Sequence, residues 1–200
     1  MEVSCIILAG GRSKRIRKFK PLLTLKKKPL ISYILKVVRK FFSDIVIVVK
    51  NAEQKKKLKR KIKRVKIVED GSKIFSPVSG IKEGIKHIRN KYVFIIACDM
   101  PFINEKIIRD MLPRIKEKPD CIVYWHALNK FEPLAAIYKK NIFEKMRPNQ
   151  SLQDMIKKKK NKILIPVSRE TLVFFNINSQ KDLNYARAIM ARGLKKFLYK

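Results

Sequence analysis

Apolar positions recur along the chain in two alternating patterns. Val3-Ser4-Cys5-Ile6-Ile7-Leu8 is a short β-branched run that stops at Ala9-Gly10-Gly11, which predicts a strand over 3–8. Pro29 then opens a stretch in which Leu30, Tyr33, Ile34, Val37, Val38 and Phe41 recur at helical spacing. Asp44 leads into Ile45-Val46-Ile47-Val48-Val49, apolar at every position and therefore a strand covered on both faces. The lysine-rich block 53–66 carries Leu58, Ile62 and Val65 on one helix face, and a strand is predicted at 65–68. The cycle repeats with a helix at 79–88, the most hydrophobic strand at 92–97, a helix at 104–115 and a strand at 121–125. Past Trp125 the pattern loosens: strands are expected at 133–138 and 172–176, a short helix at 151–157, and a last helix at 180–192. Ser179 would cap that helix, with Leu183, Ala186, Ile189 and Met190 facing inward.

Such alternation predicts the α/β class, a Rossmann-like open sheet, mixed but mostly parallel, with helices on both faces. No repeat or low-complexity linker divides the chain, so 1–200 reads as a single domain. Its 200 residues suffice to bury a core, and no apolar run approaches the ~18 residues that span a bilayer. Met1-Glu2-Val3-Ser4-Cys5 has no basic region, so neither a signal nor a transit peptide is read there. Cys5, Cys98 and Cys121 lie in or beside apolar runs, are odd in number and form no Cys-x-x-Cys, which predicts packed, reduced thiols in the cytoplasm.

Charge changes the picture. Forty-nine basic residues against 16 acidic ones give a net charge of +33, a field that attracts nucleic acid, nucleotides or phosphorylated substrates alike. The apolar stripe in 53–66 marks that block as a surface helix with a solvated basic face. A nucleic-acid-binding protein is the rival class, but the chain has neither a Lys/Arg-Gly-Phe aromatic platform nor a Gly-x-x-Gly clamp.

Ligands of open α/β sheets bind beyond the carboxyl ends of the strands. After the first strand comes Leu8-Ala9-Gly10-Gly11-Arg12-Ser13-Lys14-Arg15, continuing to Lys20-Pro21-Leu22-Leu23. The glycines allow close backbone approach to a phosphate or base, and Arg12, Lys14, Arg15 and Lys20 add cations; the loop is neither a Walker A nor a Gly-x-Gly-x-x-Gly motif. Asp99 follows the most apolar strand in Cys98-Asp99-Met100-Pro101, where one carboxylate can hold Mg²⁺ together with phosphates and water. His87, between Ile85 and Ile88, reads as an ordinary helix residue, whereas His126 ends a strand and is a candidate to line a ligand pocket. Ser151 has no His and Asp partners by motif, which argues against a hydrolase triad.

The sequence resembles the molybdenum cofactor guanylyltransferases over nearly its whole length. The resemblance rests on Leu-x-Gly-Gly-x-Ser-x-Arg at 8–15, Lys-x-Leu-Leu at 20–23 and Lys-Pro-Leu-Ile at 28–31. It continues through Val68-Glu69-Asp70, Ser76-Pro77-Val78-Ser79-Gly80-Ile81, Cys98-Asp99-Met100-Pro101, Glu132-Pro133, and Phe175-Asn176-Ile177-Asn178-Ser179 on to Asp182-Leu183. It implies transfer of GMP from GTP to molybdopterin or its molybdenum-loaded form, with Mg²⁺ as cofactor, pyrophosphate as product and other cofactor-assembly proteins as possible partners. By the same resemblance, Leu8, Ala9, Gly10, Gly11, Lys20, Asn51, Asp70, Gly80 and Asp99 would bind the nucleotide, and Asn176 and Asn178 the acceptor. Arg15, Lys20 and Asp99 would be catalytic, with Asp99 the metal ligand; residues 1–125 would mainly serve the nucleotide and 126–200 the acceptor. Sister enzymes, cytidylyl transfer to the same pterin or guanylyl transfer to another phosphorylated precursor, remain alternatives. Two departures stand out: Arg15-Ile16-Arg17-Lys18-Phe19-Lys20 lacks the family's Gly and Asp before the lysine, and lysine at Lys26 or Lys27 replaces a usual glycine.

Overall fold

The structure is a computed structural model that describes residues 3–11, 15–16, 18–126, 130–167 and 172–192. The chain runs β1 (Val3–Leu8), a 3₁₀ turn (Lys20–Leu22), a small hairpin of β2 (Thr24–Leu25) and β3 (Lys28–Pro29), α1 (Leu30–Val38), β4 (Ile45–Val49), α2 (Ala52–Lys59) and β5 (Lys66–Glu69). It continues through α3 (Pro77–Ile85), β6 (Tyr92–Ala97), α4 (Glu105–Met111), β7 (Cys121–His126), β8 (Lys130–Phe131), β9 (Ala135–Lys139), α5 (Leu152–Lys158), β10 (Lys162–Pro166) and α6 (Gln180–Arg192). Among the described residues eight strands form one sheet in the order β10-β7-β9-β6-β1-β4-β5, with β8 paired to β7. β6, β1, β4 and β5 are mutually parallel; β9 runs antiparallel between β6 and β7. The predicted fold class is therefore observed.

Alternation within the strands explains the continuous apolar runs. Cys5, Ile7, Ile47 and Val49 face a core formed with α1, α2 and α4, whereas Ile6, Val46 and Val48 face one formed with α3 and α5. A third cluster joins Ile16, Leu23, Leu25 and Leu30 to Phe102, Ile177, Leu183 and Met190, and so packs α6 against the N-terminal hairpin. Cys5, Cys98 and Cys121 are free and buried, as expected of packed thiols, and burial pushes the Cys121 thiol up to about 12.

Several predicted boundaries are corrected. The basic helix ends at Lys59, and Arg64, in a left-handed conformation (φ 58°), then redirects the chain into β5. The helix expected at 104–115 ends at Met111 and tightens into a 3₁₀ segment, Leu112–Glu117, where Pro113 can donate no backbone hydrogen bond. Residues 172–176 form no strand: Leu172–Phe174 is a 3₁₀ turn whose Val173 and Phe174 plug the core. Instead β10, absent from the sequence reading, supplies the sheet edge, with Pro166 at its end where a missing N–H is tolerated.

Candidate active site

From β1 the chain moves outward through β4 and β5, then returns to the other side of β1 as β6, so the sheet has its switch point between β1 and β6. Ligand crevices form at such points. A cavity of about 340 Å³ lies there, crossing the carboxyl ends of β6, β1, β4 and β5. Leu8, Ala9, Gly10, Gly11, Lys20, Asp70, Gly80 and Asp99 all line it, so the expected nucleotide residues are brought together with one exception.

The glycines have a geometric reason. A Cβ on Gly10 would come within 2.8 Å of the Lys50 backbone N and 3.0 Å of the Val49 carbonyl carbon, so only glycine lets the loop after β1 lie against the end of β4. At Gly80 a Cβ would press Leu8 at 3.2 Å, and its absence lets α3 approach β1. Ser76 starts α3 by accepting a hydrogen bond from Val78 N, with Pro77 in the first turn.

Lys20 and Asp99 form the polar centre. Lys20 Nζ donates to Asp99 Oδ2 and to Asn178 Oδ1, each at 2.9 Å. Their side chains keep only 13% and 17% of their exposure, which shields the pair from water. Asp99 Oδ1 is buried and accepts no hydrogen bond among the described residues. A buried carboxylate oxygen without a donor is costly, by about 1–3 kcal/mol or more, and the position therefore fits a cation. No cluster of three His, Cys, Asp or Glu occurs among the described residues, so Asp99 would share such an ion with phosphate oxygens and water.

At the other end, Asp70 is 6% exposed and accepts from Lys50 Nζ and Ser79 Oγ at 3.0 Å each and from Ser72 N at 3.1 Å. Lys50, Phe75 and Leu134 line the cavity and were missed in the sequence. Lys50 follows β4 directly, so the carboxyl-end rule pointed to it as much as to its neighbour. That neighbour, Asn51, is not on the cavity wall: it is exposed, and its side chain caps α2 by accepting from Gln54 N. Arg15 is exposed in a turn beside buried Ile16 and does not line the cavity; Arg12 and Lys14 lie outside the described residues.

Of the acceptor candidates, Asn178 meets Lys20, whereas Asn176 Nδ2 donates to the Phe174 carbonyl. Asp182 fixes this segment by accepting from Asn178 N and Ser179 N, while Ser179 Oγ accepts from Asp182 N, a reciprocal cap at the start of α6. His126 Nε2 pairs with Glu132 Oε1 at 2.7 Å, against the edge of Phe174, and is absent from the cavity lining. Burial raises the Glu132 carboxyl, the neighbouring His126 working against it. His87 pairs with Glu83 just past α3, Ser151 caps α5, and neither touches the cavity.

An open α/β sheet, a glycine loop at its switch point and a lysine–aspartate pair facing a crevice suit a nucleotide-binding protein. Residues 5–164 match the family model described as MobA-like NTP transferase domain. The chain belongs to that family and is a nucleotidyltransferase. It is 32% identical to a protein of Natranaerobius thermophilus named as a probable molybdenum cofactor guanylyltransferase, over 96% of this chain and 98% of the relative. A Clostridium perfringens protein of the same name is 35% identical over 76% of this chain and 74% of its own. The crystal structure of molybdopterin-guanine dinucleotide biosynthesis protein A from Archaeoglobus fulgidus has the same fold, with a TM-score of 0.78 and 24% identity, covering 94% of this chain and 99% of that one.

Proposed function

We propose that this nucleotidyltransferase moves GMP from GTP to molybdopterin, or to its molybdenum-loaded form, releasing pyrophosphate. The observation that carries the reading is the Lys20–Asp99 pair on the wall of the switch-point cavity, with one Asp99 oxygen buried and unbonded. The names of the relatives supply guanine and the pterin. Magnesium held by Asp99 would neutralise charge on the triphosphate and on the acceptor phosphate, which otherwise repel each other.

The chain's own residues do the rest. Gly10 and Gly11 let the backbone approach the phosphates, and Lys20 draws negative charge from the α-phosphate as the bond to pyrophosphate breaks. Arg15, exposed beside buried Ile16, adds to the positive field that draws the triphosphate in. An acceptor phosphate oxygen already carries charge, so no general base is needed. Asn178, on Lys20, orients the acceptor with Asn176. In this reading residues 1–125 serve the nucleotide, and 126–200 the acceptor. Nucleic-acid binding explains the +33 charge but not the cavity, and anionic substrates account for both.

Thermal shifts with GTP, CTP, ATP and UTP, each with Mg²⁺, test the base, since a ligand bound only by the native state raises apparent stability. GTP should give the largest shift, and GTP with molybdopterin should then release pyrophosphate. A larger shift with CTP would assign the sister cytidylyl activity, and equal shifts would sink the guanine assignment.

A further inference from the structure

Lys50 has no part in the chemistry above, yet its side chain is only 10% exposed and lines the cavity. Its Nζ donates to Asp70 Oδ2 and to the Ile74 carbonyl, each at 3.0 Å, and lies 4.6 Å from the centre of the Phe75 ring. The ammonium has three N–H groups, of which two are used. The Asp70 carboxylate accepts about four hydrogen bonds and receives three. One donor and one acceptor therefore remain side by side.

Their place along the cavity matters. Lys50 and Asp70 follow β4 and β5, whereas Asp99 follows β6 on the far side of β1. With strands about 4.8 Å apart, β4 and β5 stand roughly 10–14 Å from β6, about the span from the phosphates of a nucleotide to its base. If the phosphates lie at Lys20 and Asp99, the base reaches Lys50.

We infer that Lys50 reads the nucleobase: its remaining N–H meets O6 of guanine, and the remaining Asp70 acceptor takes the adjacent N1–H. Guanine presents an acceptor at that position, whereas adenine presents an N6 amino donor and cytosine an N4 amino donor. A lysine there faces like with like on adenine or cytosine, and opposite with opposite on guanine. Burial of both side chains keeps water from substituting for the missing contact. The inference rests on the guanylyl-transfer reading for the orientation of the nucleotide.

The same bonds would also serve a plain tether, holding the loop 70–76 to β4, so the test must separate the two roles. Titration calorimetry with GTP, ITP and 2-aminopurine riboside triphosphate, which lacks both O6 and the N1–H, is run on the wild type, Lys50→Met and Lys50→Arg. Wild type should bind ITP at least about tenfold more tightly than the 2-aminopurine nucleotide. Lys50→Met should bind GTP and ITP roughly ten- to hundredfold more weakly, with the 2-aminopurine nucleotide unchanged within about threefold, and Lys50→Arg should keep the wild-type order. An equal loss on all three nucleotides in Lys50→Met would overturn the inference and leave a loop tether; guanylyl transfer would still stand on the wild type's preference for GTP. A wild type indifferent to GTP, ATP and CTP would remove the guanylyl reading, and this role with it. Should Lys50→Met not fold, a wild type that binds ITP no better than the 2-aminopurine nucleotide overturns the inference by itself.

Discussion

Asp99→Asn separates the catalytic role proposed for the carboxylate from its structural one. The side chain keeps its shape, and an amide oxygen can still accept from Lys20 Nζ, now 2.9 Å from Asp99 Oδ2. What is lost is the second charge of a largely buried pair. A hydrogen bond between charged groups contributes about 1.5–3 kcal/mol and an ordinary one about 0.5–1.5, so the loss is roughly 1 kcal/mol. The cost exceeds that bond alone, because Lys20 keeps a largely buried charge without its counter-ion and the amide places an N–H donor where Asp99 Oδ1 has no partner. Net stability should fall by about 1–3 kcal/mol, which for a chain of this size is a Tm drop of roughly 2–12 °C. Activity should behave differently. Metal stabilisation of developing charge is worth several kcal/mol, and about 4 kcal/mol corresponds to a thousandfold in rate. The assay is pyrophosphate release from GTP, Mg²⁺ and molybdopterin beside a melting curve, with GTP affinity measured with and without Mg²⁺. Near-native turnover in a folded Asp99→Asn protein, or Mg²⁺-dependent GTP affinity equal to that of the wild type, would remove Asp99 from the metal site.

Lys20→Ala should weaken GTP binding roughly tenfold or more while the protein still melts cooperatively; calorimetric affinity within error of the wild type would exclude a phosphate contact. Gly10→Ala should destabilise by about 1–3 kcal/mol, because the atoms its Cβ meets are backbone and cannot swing away, and an unchanged denaturation midpoint would contradict that packing. Lys27→Gly should raise Tm by a few degrees, since Lys27 at φ 64° occupies a left-handed position that costs a side chain roughly 1 kcal/mol; circular dichroism melts decide it. Partial desolvation pushes the Asp182 carboxyl up, but the bonds from Asn178 N and from Ser179 outweigh it and leave the group below its usual range. The stability it adds is therefore present above the unfolded carboxylate pKa and lost as pH falls through the folded one. Asp182→Ala should melt lower than the wild type at neutral pH, and the gap should close in acid; a gap constant with pH would disprove the linkage.

The legible parts of the fold were those buried on two faces. β4 and β6 carry unbroken apolar runs, and β1 one broken only by buried Ser4, because helices cover both sides of the sheet. The run Leu172-Val173-Phe174-Phe175 gives the same signal for another reason: it plugs a core from a turn, and an apolar run alone does not separate plug from strand. β10 went unread because an edge strand is short and half-exposed, and Pro166 looks like a break. At the site, position past a strand end identified the loop after β1 and Asp99, since burial and topology are both written in the strand pattern. It could not rank Lys50 against Asn51, which differ only in which way the chain turns into α2: Asn51 turns out to cap the helix and Lys50 turns into the cavity. The glycine replaced in the 25–28 turn is absorbed by strain, with Lys26 and Lys27 both at positive φ.

The two halves of the chain are tied together at this site. Asp182 at the start of α6 holds the backbone of Asn178, Asn178 accepts from Lys20, and Lys20 donates to Asp99. Ile177 N also donates to the Asp99 carbonyl at 2.9 Å, so the segment is tied to the strand end as well as to its side chain. Beneath these polar links, Ile177 and Leu183 pack in one cluster with Ile16, Leu23 and Leu30, which flank the Lys20 turn. A shift of α6 must therefore move Lys20 against Asp99, or leave Lys20 Nζ without one of its two side-chain acceptors. On the proposed assignment, the segment that orients the acceptor also sets the distance between the lysine on the α-phosphate and the carboxylate on the metal. Misplacement by about 1 Å can cost a hundredfold in rate. On that assignment, what joins the two roles is this short chain of hydrogen bonds, anchored on a hydrophobic cluster to which both halves contribute.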